Sequence, residues 1–269
     1  MAKIKVAVAG CLGRMGQEIS KQVLKNKNLE FVGGFEHKKN KGINKPLNKV
    51  SEIKSAKLVD PNPIRSIKEA NVIIDFTTPE ATLENLKFAS TNKTAVVIGT
   101  TGMTDSHKKK VKSYSKKIPI LMSSNMSLGV NLLFNLVQQT ASALKDTDYD
   151  IEIAETHHKH KKDAPSGTAI SIAEAAASKR QKDFKQNEVE KETIKNTRGG
   201  SLGGVQIHSA RMPGRVARHE LVFGGLGQTF TMLHDSIDRQ SFMPGVILGV
   251  KEILSRKELV VGLDKIMGI

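Results

Sequence analysis

The sequence predicts an α/β protein in which a doubly wound parallel sheet is joined to a second, α+β domain. Short apolar runs alternate with helix-like stretches through the first half of the chain, and a glycine turn follows the first of those runs directly. After Asn125 the pattern changes to a long amphipathic stretch and then to β-rich sequence.

In the first half, strands are expected at 4–9, 29–35, 72–76, 95–98 and 118–122, with a weaker one near 57–60. Helices are expected at 14–25, 79–90 and 105–116. In the first of these, Met15, Ile19, Val23 and Leu24 fall on one side, and Pro79 follows Thr77-Thr78, a capping pattern that starts a helix well. The opening Met1-Ala2-Lys3-Ile4-Lys5-Val6 superficially resembles a leader. Its apolar stretch is short, alternates with Lys and runs into glycine, so a first strand is the better reading. In the second half, 127–144 reads as a helix with Leu128, Leu132, Leu133, Leu136 and Val137 on one side. A strand near 150–155, a helix over 166–179 and a polar, mobile loop over 181–204 follow. The segments 204–210, 220–223 and 229–234 read as antiparallel strands, the last two joined through Gly224-Gly225-Leu226-Gly227. A final helix over 244–255 returns to the first domain. The expected domains are 1–127 completed by 240–269, and 128–239.

Composition narrows the function. The chain has 269 residues, 38% hydrophobic and 26% charged, enough for two modest cores. No apolar run reaches bilayer length, and the single cysteine, Cys11, suits a reducing cytoplasm. The formal charge of +15 is mostly scattered lysine, aromatics are 4% and Trp is absent. Without basic–aromatic interleaving, that charge describes a solvated surface, and neither nucleic acid nor membrane is the expected partner.

Gly10-Cys11-Leu12-Gly13-Arg14-Met15-Gly16 follows the first strand and opens a helix. Glycines there allow a tight turn and close approach, and N–H groups at a helix start attract phosphate, so the unit reads as a Rossmann-type dinucleotide site. The spacing G-x-x-G-x-x-G is less specific than G-x-G-x-x-G, and its context supplies the rest. Glu36 ends the second strand, where a carboxylate can accept from ribose hydroxyls, although a surface carboxylate is a serious rival. His37, Lys38 and Lys39 follow and can hold a 2′-phosphate, so use of both NADH and NADPH is expected. Cys11 reads as a small loop filler, since no local base would activate it. Later strand ends carry Asp75-Phe76-Thr77, Gly99-Thr100-Thr101-Gly102 and Ser123-Ser124-Asn125-Met126, small polar loops that suit a nicotinamide and its ribose.

Glu155-Thr156-His157-His158-Lys159-His160-Lys161-Lys162-Asp163-Ala164-Pro165-Ser166-Gly167-Thr168 is the chemically richest stretch. Backbone N–H groups at Ser166, Gly167 and Thr168 form a carboxylate site at a helix start, lysines add charge, and histidine can supply a proton. The combination describes a pocket for a small dianion that needs protonation. The competing metal reading, His-His-x-His with Glu155 or Asp163, is opposed by the interleaved lysines and the lack of a further cysteine. A solvated basic strand end remains the bland alternative. If the strand from Asp150 continued, His157 and Lys161 would share one face and His158 would take the other.

Together with Met212-Pro213-Gly214, these motifs resemble the dihydrodipicolinate reductase family over nearly the whole chain, and His-His-x-His-Lys-x-Asp-Ala-Pro-Ser-Gly-Thr is highly specific to it. The resemblance implies a Rossmann cofactor domain, a substrate domain with a mixed, largely open sheet, and a homotetramer built through the sheets of that second domain. It implies hydride transfer from a nicotinamide to C4 of a small dianionic cyclic substrate. His157 matches the proton donor or acceptor, Lys161 the second proton donor and His158 a substrate contact. Gly167 and Thr168 match the carboxylate-binding backbone, with Ser166 beside them. In two places the chain departs from its relatives. His37 stands where many have Arg, which weakens any NADPH preference. Arg215-Val216-Ala217-Arg218-His219-Glu220 differs from the Gly-Glu-His type of some relatives, so no site role is claimed there. Arg239 can serve an interdomain junction or a surface salt bridge equally well.

Overall fold

The computed structural model describes residues 2–61, 63–179, 184 and 189–269. The chain divides into two compact units, Met1–Leu128 with Phe242–Ile269, and Gly129–Ser241.

The first unit alternates strand and helix: β1 Ile4–Ala9, α1 Arg14–Lys25, β2 Leu29–Phe35, α2 Leu47–Val50, β3 Val59–Asp60, α3 Pro63–Glu69, β4 Val72–Asp75, α4 Pro79–Thr91, β5 Ala95–Ile98, α5 Asp105–Ser115 and β6 Ile120–Met122. Its described strands form one sheet in the order β12-β6-β5-β4-β1-β2-β3, every pairing parallel. The edge strand β12, Leu259–Val261, comes from the C-terminal segment, so the tail contributes backbone to the sheet as well as a helix. No sequence signal marked it, because three residues are too few to show a period. Strand alternation sends Val6, Val8, Val72, Ile74 and Val97 into one core, and Ala7, Ala9, Ile73, Val96 and Ile98 into the other. Both faces are covered, which is why these strands read as unbroken apolar runs.

The second unit contains α6 Leu128–Ala143, which begins on the last residue of the first, then β7 Asp150–His158, α7 Gly167–Ala177, β8 Gly200–Leu202, β9 Val205–Met212, β10 Ala217–Gly225 and β11 Gln228–Ser236. Beyond it, α8 Met243–Ile253 and α9 Asp264–Met267 belong to the first unit. The sheet order is β11-β10-β7-β9-β8. The sheet is mixed, as the family resemblance implies: β10 runs antiparallel to β7 and β11, whereas β9, read from the sequence as an antiparallel strand, runs parallel to β7 and antiparallel to β8. The expected hairpin is present, with Gly225 opposite Gln228 and a Leu226-Gly227 turn in which Gly227 has φ +73°.

The expected mobile loop over 181–204 lies partly outside the described residues. Of its described part, Phe184 is buried in the second core and Gly200–Leu202 is a strand. The apolar face of α6 also differs from expectation. Val130, Leu133, Val137 and Ala141 are buried, whereas Leu132 and Leu136 are 45% and 41% exposed. A run of leucines marks a helix as apolar without saying which row meets the core; here the row at 130, 133, 137 and 141 does so. Leu133→Ala should therefore cost about 2–4 kcal/mol and Leu132→Ala less than about 1 kcal/mol in urea unfolding. Equal losses would count against this packing.

Candidate active site

In the first unit the sequence-marked loops gather at the C-terminal ends of parallel strands, where ligands bind in open sheets. Gly10 turns with φ +64°, and a Cβ on Gly16 would lie 2.0 Å from the Gly10 carbonyl oxygen, so both positions demand glycine. Several loop amides are already engaged. Gly10 and Cys11 donate to the Phe35 carbonyl at 2.9 and 3.3 Å, Gly13 to the Gly10 carbonyl at 2.9 Å, and Leu12 to Glu36 Oε2 at 3.1 Å. The first turn of α1, beginning at Arg14 and Met15, carries the N–H groups that have no acceptor within their own helix.

Cys11 is fully buried against Gly34, and burial followed by the Glu36 charge pushes its thiol up to about 12. It is a loop filler. His37 follows Glu36, whose Oε1 accepts the His37 N–H at 3.1 Å. Among the later loops, Gly99 lies under the Phe76 ring, where a Cβ would approach to 2.1 Å. Thr101 and Ser124 are exposed, while Thr100, Ser123 and Met126 are buried supports. Thr100 joins a buried cluster around Asp75, whose carboxylate accepts from the Thr77 hydroxyl at 2.6 Å, Asn85 at 2.8 Å, and Thr82 and Thr100 at 3.1 Å each. The Ser123 hydroxyl donates to the Asn125 carbonyl, and Asn125 Oδ1 accepts the Ser127 amide at 2.9 Å.

In the second unit β7 ends at His158, and the Lys161 amide bonds back to the His158 carbonyl at 3.0 Å. The parity argument for Lys161 therefore fails, since the strand has turned before reaching it. What β7 does align is Glu155 with His157, both buried on its inner face. His157 Nδ1 is hydrogen-bonded to Glu155 Oε2. Arg211, opposite His157 on β9, grips the same carboxylate at 2.8 and 3.1 Å, and the Ser166 amide adds a bond at 3.2 Å. Burial alone would raise the Glu155 pKa, but the bonds from His157, Arg211 and Ser209 outweigh it and bring it to about 2.

His219 belongs to the segment for which the sequence carried no site claim, and strand register places it beside the buried pair. It lies opposite Glu155 on β10, with its ring 5.2 Å from that of His157 and edge-on to it. Its Nε2 is 3.2 Å from the Ser166 hydroxyl, which in turn caps α7 by accepting the Ala169 amide. Burial, then the neighbouring His157, lowers its pKa to about 4. A flanking motif hid it; only strand register brings it beside Glu155.

Lys161 pairs with Asp163 Oδ1 at 2.8 Å, and the Asp163 carboxylate also accepts the Gly167 amide. The Lys161 hydrogen bond is the main cause holding Asp163 below the usual carboxylate range. Gly167 is exposed, Thr168 half-buried, and His158 half-buried at 6.4 Å from the His160 ring. Among the described residues one group, Glu155, His157 and His219, brings possible metal ligands within 4.8 Å of one another. The bidentate guanidinium on Glu155 makes it a poor cation site, and His158 and His160 are not part of it.

The family profile described as dihydrodipicolinate reductase, N-terminus, matches residues 4–126, and that described as dihydrodipicolinate reductase, C-terminus, matches residues 129–267. The chain belongs to the dihydrodipicolinate reductase family. A curated 4-hydroxy-tetrahydrodipicolinate reductase of Streptococcus pneumoniae strain P1031 is 39% identical over 266 residues, covering 98% of this chain and 99% of that protein. A dipicolinate-bound dihydrodipicolinate reductase from Paenisporosarcina sp. TG-14 superposes with a TM-score of 0.84 at 35% identity, covering 98% and 99% of the two chains. An amine dehydrogenase of Mycobacterium smegmatis, at 10% identity and a TM-score of 0.65, shares the fold.

The buried neutral His219 sets a pH dependence for this family member. An unfolded histidine titrates near 6.5 and the folded one near 4, so the unfolded chain binds more protons between those values. Stability should fall as pH drops from about 6.5 toward 4, by roughly 3 kcal/mol from this residue at most. Glu155, with its depressed pKa, loses its contribution only below about 4.5. In His219→Gln, urea unfolding between pH 4.5 and 6.5 should show a visibly flatter pH slope. An unchanged slope would show that His219 is not buried neutral.

Proposed function

We propose that the chain reduces 4-hydroxy-tetrahydrodipicolinate to tetrahydrodipicolinate with NADH or NADPH, a step of lysine and diaminopimelate biosynthesis. The hydroxylated ring loses water and takes up a hydride and a proton. The observation that carries this reading is the buried Glu155–His157 pair beside Lys161 and the start of α7, in a chain collinear with the curated reductases.

The glycine loop fits a dinucleotide: a side chain at Gly10 or Gly16 would collide with Thr77 or with the Gly10 carbonyl and deform the tight turn, and the first-turn amides of α1 suit a pyrophosphate. Gly10, Cys11, Leu12, Gly13, Arg14 and Met15 would line that phosphate site, Glu36 and His37 the adenosine ribose, and Gly99–Thr101 with Ser123–Met126 the nicotinamide end. When bound, the nicotinamide supplies the hydride. The second unit binds the small dianionic ring. Its carboxylates meet the α7 amides at Gly167 and Thr168, Ser166 and His158, and the cations around Lys161 neutralise charge. His157 and Lys161 carry protons, and Lys161 must leave Asp163 to do so.

A homotetramer in the cytoplasm completes the proposal. By alternation, the sheet face opposite the second core carries Ala154, Thr156, Val222, Thr231 and Leu233, and Leu233 is 51% exposed. Charges on that sheet are internally paired, Glu152 with Arg198 and His208, and Arg218 with Glu220, so covering the face costs little desolvation. The cytoplasmic assignment is supported by the free, buried Cys11. No described helix is long and apolar enough to cross a membrane.

With freshly made substrate, His157→Ala/Lys161→Ala should lose at least about a hundredfold in kcat/KM while keeping its circular dichroism. The wild type should use NADH and NADPH within about a hundredfold, ~2.7 kcal/mol, of each other. Undiminished turnover in the double variant would reject the roles, and a wider cofactor ratio would reject dual use. By sedimentation the wild type should be a tetramer that Leu233→Arg weakens; a wild-type monomer would remove the assembly.

A further inference from the structure

His157 has two ring nitrogens, and which one carries a proton decides what it can do. Its Nδ1 is bonded to Glu155, a side chain with no exposed surface. An ionised carboxylate can only accept, so Nδ1 must be the donor in that bond. The proton that comes and goes is then the one on Nε2. Further bonds hold the carboxylate in place, two from Arg211, one from the Ser166 amide and one from the Ser209 side chain.

We propose that Glu155, clamped by Arg211, is the positioning residue of the reaction: it fixes His157 in the Nδ1–H tautomer, aims Nε2 as the proton-carrying atom, and stabilises the protonated ring. This rests on the reading of His157 as the proton carrier.

The surroundings single out Glu155. Arg211 approaches from β9, and His219 from β10 with its ring edge-on. The α7 cap contributes Ser166, and the turn after β7 contributes Lys161 and Asp163, which pair with each other. His219 is neutral above about pH 4 and brings no charge. Among these groups Glu155 is the anion bonded directly to the His157 ring, and Arg211 bonds that same carboxylate. Replacing its charge while keeping its shape would leave the imidazole opposite the Arg211 cation with no anion bonded to it, and protonation would become harder. Glutamine can still accept from Nδ1–H through its carbonyl oxygen.

Imidazole ¹⁵N NMR titration of the full-length enzyme, with His157 assigned by its loss in His157→Gln, gives a readout independent of turnover. Wild-type His157 should show a protonated Nδ1 and a bare Nε2 in its neutral form. In Glu155→Gln the tautomer should persist and the His157 pKa should fall by a unit or more. The alkaline limb of the kcat profile should shift with it, kcat at neutral pH should fall about tenfold or more, and KM should change less than about threefold. Arg211→Gln, which leaves Glu155 in place but unclamped, should raise the His157 pKa instead. A His157 titration unmoved in Glu155→Gln, a neutral wild-type ring protonated on Nε2, or a loss confined to KM would each overturn the proposal. Full turnover in His157→Ala would sink the proton-carrier reading, while the titration would still decide what Glu155 does to the ring.

Discussion

A carboxylate removed from water is tolerable only if donors replace the water it loses, and the second unit is arranged around one such group. Glu155 takes its donors from three separate places: His157 on its own strand, Arg211 on β9 and the Ser166 amide at the start of α7. The bonds from Arg211 and Ser166 tie β9 and the start of α7 to β7. The mixed sheet must place β9 parallel to β7 for Arg211 to lie opposite His157, and β10 antiparallel for His219 to lie opposite Glu155. The same charge that needs this architecture also fixes the orientation of His157. Removing Arg211 would leave the buried carboxylate without its ion-pair partner.

The first unit solves a different problem by different means. Its parallel strands are covered on both sides, so its functional surface can lie only at the strand ends. There the chain uses backbone more than side chains. Glycines permit close turns, and Glu36 pins the Leu12 amide. The Asp75 cluster ties Thr77, Thr82, Asn85 and Thr100 together beneath the later loops. Rigid support under exposed residues such as Thr101 and Ser124 is what a site needs if its geometry is to survive binding.

Much of this is legible in the sequence. Periodicity located the strands and helices of the first unit because buried parallel strands and long helices leave patterns several residues long. The glycine loop and the Glu155–Thr168 stretch were visible because their chemistry is contiguous. Leu132 and Leu136 misled because helical leucines advertise hydrophobicity without naming the buried row. β12 was invisible because it is short, and Lys161 was misplaced because nothing local announced the end of β7 at His158. Neither Arg211 nor His219 sits near the motif in sequence, and the segment around His219 looked like a departure from the family pattern.

By itself, the sequence determined what is local: element type from period, a tight strand-to-helix turn from glycine spacing, a capped helix start beside a run of histidines and lysines, and the family from the linear order of those motifs. The tertiary structure alone decided what depends on register between distant strands: the parallel direction of β9, the clamp of Arg211 on Glu155, and the neutral His219 beside His157. The division has a physical origin. Hydrogen bonding and side-chain period act over a few residues, whereas the protonation state and orientation of a buried group answer to everything packed around it.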